Sequence, residues 1–148
     1  MINQFQGVYR WLSNFWTAAF TYEGVQYSSV EHAYQAYKTS DTVQRMWVAS
    51  SATAAIAKKR GNAVPLRSDW EQVKDDVMLA LVRAKFTQNE ALATKLVGTN
   101  GEELIEGNYW HDIYWGKCTC TRHRGQGKNK LGLILMQVRD ELIMQGDS

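Results

Sequence analysis

The sequence predicts an α+β fold, mostly helical with a small antiparallel sheet. Most of the chain after residue 28 carries helix start and stop signals. One hairpin pattern lies near the N-terminus. The 148 residues contain no internal repeat, no low-complexity linker and a single proline, Pro65, so one domain over residues 1–148 is expected.

The hairpin comes first. Ala19-Phe20-Thr21-Tyr22 and Val25-Gln26-Tyr27 flank Glu23-Gly24, a tight-turn dipeptide. Ser28 and Glu31 stand as in a capping box, opening a helix through Lys38. Asp41 caps a helix from Thr42 to Ala49, and an alanine-rich helix from Ala52 to Arg60 stops at Gly61. Ser68-Asp69-Trp70-Glu71 is another capping-box pattern, starting a helix to about Phe86. Asn89 caps a short helix that Gly98 ends, and Asn100-Gly101 makes a turn. Tyr109 to Cys120 has no helical period and reads as strand or loop. A glycine-rich basic loop, Gly125 to Lys130, feeds the last helix, Lys130 to Met144. Leu131, Ile134, Leu135, Val138 and Leu142 form that helix's apolar face.

Composition narrows the function classes. With 45% hydrophobic and 22% charged residues the chain is not globally disordered. Seventeen basic against 15 acidic residues, net +2, call for neither nucleic acid nor an anionic membrane. The longest apolar run, Leu131 to Met136, is broken by Gly132 and too short to span a bilayer. No basic-then-apolar leader opens the sequence. Cys118 and Cys120 are too close for an easy mutual disulfide, which points to a reducing, cytoplasmic setting. Six Trp, seven Tyr and four Phe, several beside polar residues, suit a flat ligand.

Some polar residues fall in apolar places. On a wheel of the Ser68 helix, Trp70, Val73, Val77, Met78, Leu81 and Val82 form a stripe, with Lys74 and Lys85 near its middle. A buried lysine loses basicity and can act as a base or form a Schiff base with a sugar aldehyde. Helix geometry alone favours both lysines snorkelling to water, each near a helix end. Glu31, Gln35 and Lys38 share a face at i, i+4 and i+7; this is either a solvated face or a carboxylate and a lysine lining a pocket. Lys58, Lys59, Arg60 and Arg67 bracket the Gly61–Pro65 connection, where a phosphate fits by charge. The Gly125–Asn129 loop suits an anion but lacks P-loop spacing. Cys118 and Cys120 with His111 and His123 lack a second paired ligand set, so no metal is expected.

The ordered motifs resemble a known family. They are Trp11-Leu12-Ser13-Asn14-Phe15; Ser29-Val30-Glu31-His32-Ala33-Tyr34-Gln35-Ala36 with Lys38; Pro65-Leu66-Arg67; and Trp70, Lys74 and Ala84-Lys85-Phe86. Leu104-Ile105-Glu106, Asp112, Tyr114-Trp115-Gly116 and Gly127-Lys128-Asn129-Lys130-Leu131-Gly132 follow, leading into Leu135-Met136. Together they are similar to the NADAR (YbiA-like) family of N-glycosidases over nearly the whole chain. The resemblance implies a single NADAR-like domain that hydrolyses an N-glycosidic bond to ribose. Its substrate classes are phosphoribosylated aminopyrimidines of riboflavin synthesis and ADP-ribose attached to guanine in nucleic acid. It also places Glu31, and Lys74 or Lys85, in the pocket. The Cys118–Gly125 segment departs from simpler members and leaves the substrate open.

A mechanism follows from that resemblance. Cleavage through an imine needs a neutral lysine near the anomeric carbon and a carboxyl group to move protons. Lys85 is the first choice of amine, with Lys74 as the alternative. Glu31 is the choice for proton transfer, with Asp112 as its partner. Trp115, with Trp11 and Trp70, would stack on the base or ribose edge. Asn14 and Asn129 would bond ribose hydroxyls, and Arg67 and Lys128 would take phosphate. Phe15, Gln35, Lys38 and Gly116 complete the substrate contacts. No metal or cofactor is called for. The expected partner is a small N-riboside or ADP-ribosyl compound, or ADP-ribosylated DNA or RNA met through Arg122, Arg124, Lys128 and Lys130, without a membrane. A non-catalytic ADP-ribose or NAD reader is the other class.

Overall fold

The structure, a computed structural model, describes residues 1–146. It comprises two compact units, Asn14–Asn89 and Met1–Ser13 with Glu90 onward. Among the described residues no helix is long and apolar enough to cross a membrane.

The first unit opens with the hairpin. Strands β1 (Phe20–Tyr22) and β2 (Val25–Tyr27) pair antiparallel, Phe20 opposite Tyr27. Glu23 and Gly24 both take positive φ, 50° and 82°, as a turn matched to strand twist requires. Helices α1 (Val30–Ala36), α2 (Thr42–Ala49), α3 (Ala54–Gly61) and α4 (Trp70–Gln88) follow. Helix α1 packs on the other three, and every one of its residues is buried. The Gln88 amide closes the β1 edge, donating to Thr21 O at 2.7 Å and accepting from Thr21 N at 2.8 Å.

Several expected caps move by a residue, with consequences for the site. Ser29, not Ser28, caps α1, its hydroxyl accepting from His32 N at 3.1 Å. Glu31 therefore has no capping-box partner in Ser28. Thr53 caps α3, which begins at Ala54 rather than Ala52. Gly61 is not the C-terminal stop but the last helical residue; a Cβ there would lie 2.1 Å from Gln35 Oε1. Asp69 precedes α4 without a side-chain cap, because its carboxylate is taken by Arg67 at 2.6 and 3.0 Å. Asn89 turns back to α4, donating to Lys85 O at 2.8 Å and Ala19 O at 3.2 Å.

The second unit holds a 3₁₀ helix (Gly7–Leu12), helix α5 (Glu90–Gly98), strands β3 (Gly107–Asn108) and β4 (Lys117–Cys118), and helix α6 (Lys130–Gly146). Strands β3 and β4 form a short parallel ladder, and the rest of Tyr109–Cys120 is loop. Leu131, Ile134, Leu135 and Val138 of α6 are buried, as their period predicts, while Leu142, expected on the same face, is only half-buried where the helix runs out toward its end. Buried Arg139 ties α6 to the end of α5, donating through Nη1 to Thr99 O and Glu102 O at 2.8 Å each.

Candidate active site

Lys85 decides the reading of the first unit. Its side chain is only 1% exposed, near the C-terminal end of α4, and its Nζ lies 5.0 Å from the Phe86 ring centre. Burial pushes its pKa down to about 7, because an ammonium loses more hydration than the protein returns. The expectation that both lysines snorkel fails here. Lys85 sits among Leu81, Val82, Ala84 and Phe86, all buried. Lys74, three turns earlier, is half-buried and pairs with Glu71 at 2.6 Å. Its ammonium therefore has a carboxylate partner on its own helix, whereas Lys85 is enclosed among apolar side chains.

The Glu31 face of α1 is no solvated face. Glu31 is 7% exposed and Gln35 3%. The Gln35 amide donates to Glu31 Oε1 at 2.7 Å, and its own oxygen is buried without a partner. Half-buried Lys38 follows one turn on, near Asn62 Oδ1 at 3.4 Å. Burial lowers the Lys38 pKa, Glu31 opposes that shift, and Lys58 adds to it. Lys38 thus lies within the field of Glu31.

Asn14 connects this face to α4. Its carbonyl accepts from Glu31 N at 3.0 Å, and its amide contacts Met78 Sδ at 3.4 Å. Tyr34 packs against Trp70 with ring centres 5.1 Å apart and planes tilted by 56°. Glu31 is thereby registered near Met78 and Tyr34 near Trp70, so the two helices run antiparallel. The N-terminal end of α1 thus meets α4 near its middle, at Met78, about two turns before Lys85. His32 locks the opposite side of α1. Its Nε2 lies 2.9 Å from Ser51 O, which can only accept, so Nδ1 at 2.7 Å takes the Ser29 hydroxyl proton. Phe15, beside buried Asn14, is 44% exposed and offers a flat apolar surface.

Three expected substrate contacts are packing residues instead. Trp70 is buried, its ring tilted against that of Tyr34. Asn129 spends both ends of its amide on backbone: Oδ1 accepts from Glu106 N and Nδ2 donates to Leu104 O, each at 2.9 Å. Gly116 is buried where any Cβ would strike Glu106 O at 2.1 Å. Trp11, also expected to stack, is buried too. Arg67 remains near α1, its backbone N–H donating to Lys38 O at 2.7 Å, but its guanidinium is engaged by Asp69.

In the second unit, Asp112 is a turn cap. Its Oδ1 accepts from Tyr114 N at 3.1 Å and Trp115 N at 2.9 Å. Asn108 anchors that turn by accepting from Asp112 N at 3.1 Å and donating to Asp112 O at 2.9 Å. Trp115 meets Tyr114 edge-on at 4.8 Å, and exposed Lys128 lies 5.3 Å over the Tyr114 ring. The side chains of His111, Cys118, Cys120 and His123 also come together, their ligand atoms all within 4.8 Å of one another.

The NADAR domain profile matches residues 3–143. The chain belongs to the NADAR family. The chain is also similar to individual proteins. N-glycosidase YbiA of Shigella flexneri serotype 5b is 36% identical over 135 residues, covering 90% of this chain and 81% of that protein. A riboflavin biosynthesis protein of Vibrio vulnificus is 38% identical over 133 residues, 88% of this chain and 35% of its own length. The NMR structure of YbiA from E. coli superposes with a TM-score of 0.82 at 30% identity, covering 99% of this chain and 89% of that one. The α+β fold read from the sequence is therefore the NADAR fold. In this NADAR protein, sequence reasoning singled out Lys85, Glu31 and Gln35, all of which the structure buries. It missed the Asn14–Met78 link and the Gly61 cradle; a glycine ending a short alanine-rich helix opposite a glutamine was the available signal.

Proposed function

We propose that the protein is an N-glycosidase that hydrolyses the bond between ribose and a nitrogenous base, using Lys85 as the amine and Glu31 as the proton carrier. The buried Lys85, with a pKa near neutrality, carries this reading. A structural lysine gains nothing from being held where its charge is disfavoured; a nucleophilic one needs it.

The residues suggest an order of events. Glu31 gives its proton to the ribose ring oxygen as the C4′-side C–O bond to C1′ opens, leaving an iminium between C1′ and the base nitrogen. The Lys85 amine adds to C1′. A proton passes from the Lys85 nitrogen through Glu31 to the base nitrogen, and the C1′–base bond breaks. Water then hydrolyses the Lys85 imine, restoring amine and carboxyl. The net reaction consumes one water and yields free base and sugar. Gln35 orients Glu31, and Asn14 fixes its backbone. Phe15 supplies a face for the sugar or base. Lys38, with Arg67 behind it, offers the positive charge that a phosphate needs. The roles of Trp115 and Lys128 rest on the family resemblance.

Relatives named for riboflavin biosynthesis support a phosphoribosylated aminopyrimidine as substrate. The exposed cations Arg122, Arg124 and Lys128 favour a second reading, ADP-ribosylated guanine carried on DNA or RNA. The test offers the protein each compound side by side and detects released base and sugar. Release from either, lost in Lys85→Ala, supports the proposal. Binding of ADP-ribose without turnover of either compound would make the protein a reader and end it.

A further inference from the structure

We propose that His111, Cys118, Cys120 and His123 form a structural zinc site in the second unit. Sequence spacing argues against a metal, since no second ligand pair is visible. The fold supplies that pair by bringing His111 back onto the Cys118–His123 turn. Cys120 Sγ lies 3.4 Å from His111 Nδ1 and 3.1 Å from His123 Nδ1, and Cys118 Sγ lies 3.9 Å from His111 Nδ1. A zinc tetrahedron with ordinary Zn–S and Zn–N bonds has S···N edges of about 3.5 Å. The four donors thus already stand near the corners that one ion needs.

The chemistry selects the metal. Two thiolates and two neutral imidazoles suit tetrahedral zinc, and their charge cancels that of a divalent ion. Backbone N–H groups face both sulfurs, Cys120 N to Cys118 Sγ at 3.5 Å and His123 N to Cys120 Sγ at 3.4 Å. Such donors stabilise thiolate and fix its direction. Cys118 is fully buried while His111 is exposed, which gives the ion an inner anchor and an entry side. Four protein ligands leave no position for water, so the ion would hold structure and take no part in glycoside cleavage.

The site also explains what orders this loop. Tyr109, Trp110 and Ile113 are exposed, and His111 and Arg124 take left-handed backbone at φ 71° and 52°. Apolar burial contributes little here, and a metal cross-link replaces it. The linked loop carries Asp112 and Trp115.

The experiment is metal analysis of the full chain purified after growth with zinc, followed by cobalt exchange. One zinc per chain is expected. Cobalt should show tetrahedral d–d bands with thiolate charge transfer, and both cysteines should resist a thiol reagent until a chelator is added. Cys118→Ser and His123→Ala should each lower zinc affinity at least tenfold, and chelation should lower the melting temperature. The wild-type cobalt spectrum decides the matter even if the variants fail to fold. Absence of stoichiometric metal with freely reactive thiols, a Cys118–Cys120 disulfide, or cobalt bound without thiolate charge transfer would each overturn the site.

Discussion

At the scale of single residues, Lys85 governs both chemistry and stability. Lys85→Ala should lower turnover by about 10³-fold or more while the fold persists, measured by base release alongside circular dichroism. The rate of the wild type should rise with pH through about 7 as the amine loses its proton. Stability should follow the same group. Its folded pKa, about 7, lies below its ordinary 10.5, so between these values the unfolded chain binds the extra proton. Wild-type stability relative to Lys85→Met should therefore climb by on the order of 1 kcal/mol per pH unit from about pH 7 to 10.5, and stay level below pH 7. Denaturant titrations of both proteins across that range would show it; a gap independent of pH would mean Lys85 is charged in the fold. Asp112 gives a contrasting case. Its Oδ1 caps the Trp115 turn, and an amide oxygen can do the same. Asp112→Asn should keep activity within about threefold, whereas a loss of about 10²-fold or more would restore it as a proton carrier.

At the scale of elements, the contact between α1 and α3 sets the site. Gly61 admits the Gln35 side chain, and Gln35 holds Glu31. Gly61→Ala should improve helix propensity by about 1 kcal/mol yet cost more through overpacking, about 1–3 kcal/mol. Because the displaced group is Gln35, turnover should fall as well. Thermal melting and steady-state kinetics on the same sample test both effects; higher stability with full activity would refute the coupling. Asn129 plays the matching part at the start of α6, with a left-handed φ of 53° and both amide ends on backbone. Asn129→Ala should destabilise by about 1–3 kcal/mol, seen as a lower denaturant midpoint.

At the scale of the molecule, a net charge of +2 provides little long-range attraction. A free phosphoriboside should then be cleaved with an apparent KM that changes little between low and moderate salt. An ADP-ribosylated oligonucleotide held by Arg122, Arg124 and Lys128 should show a KM that rises steeply. Comparing the two salt profiles separates the substrates, and flat profiles for both would remove nucleic-acid contact from the reading.

Local sequence was enough for whatever depends on neighbours along the chain. Turn chemistry at Glu23-Gly24, the helix periods and the last helix's apolar face all followed from short-range sterics and patterning. So did the suspicion of Lys85, because a lysine in an apolar stripe is visible on a wheel. Its burial was not, since only packing decides whether a long side chain can bend to water. Lys74 and Lys85 share that stripe and separate only in three dimensions, one paired with Glu71 and one enclosed. The same holds for Asn129 and Trp70, whose polar and aromatic side chains answer backbone groups and rings far off in sequence. His111 is the plainest example: its distance from Cys118 along the chain hides a proximity that only the folded loop creates.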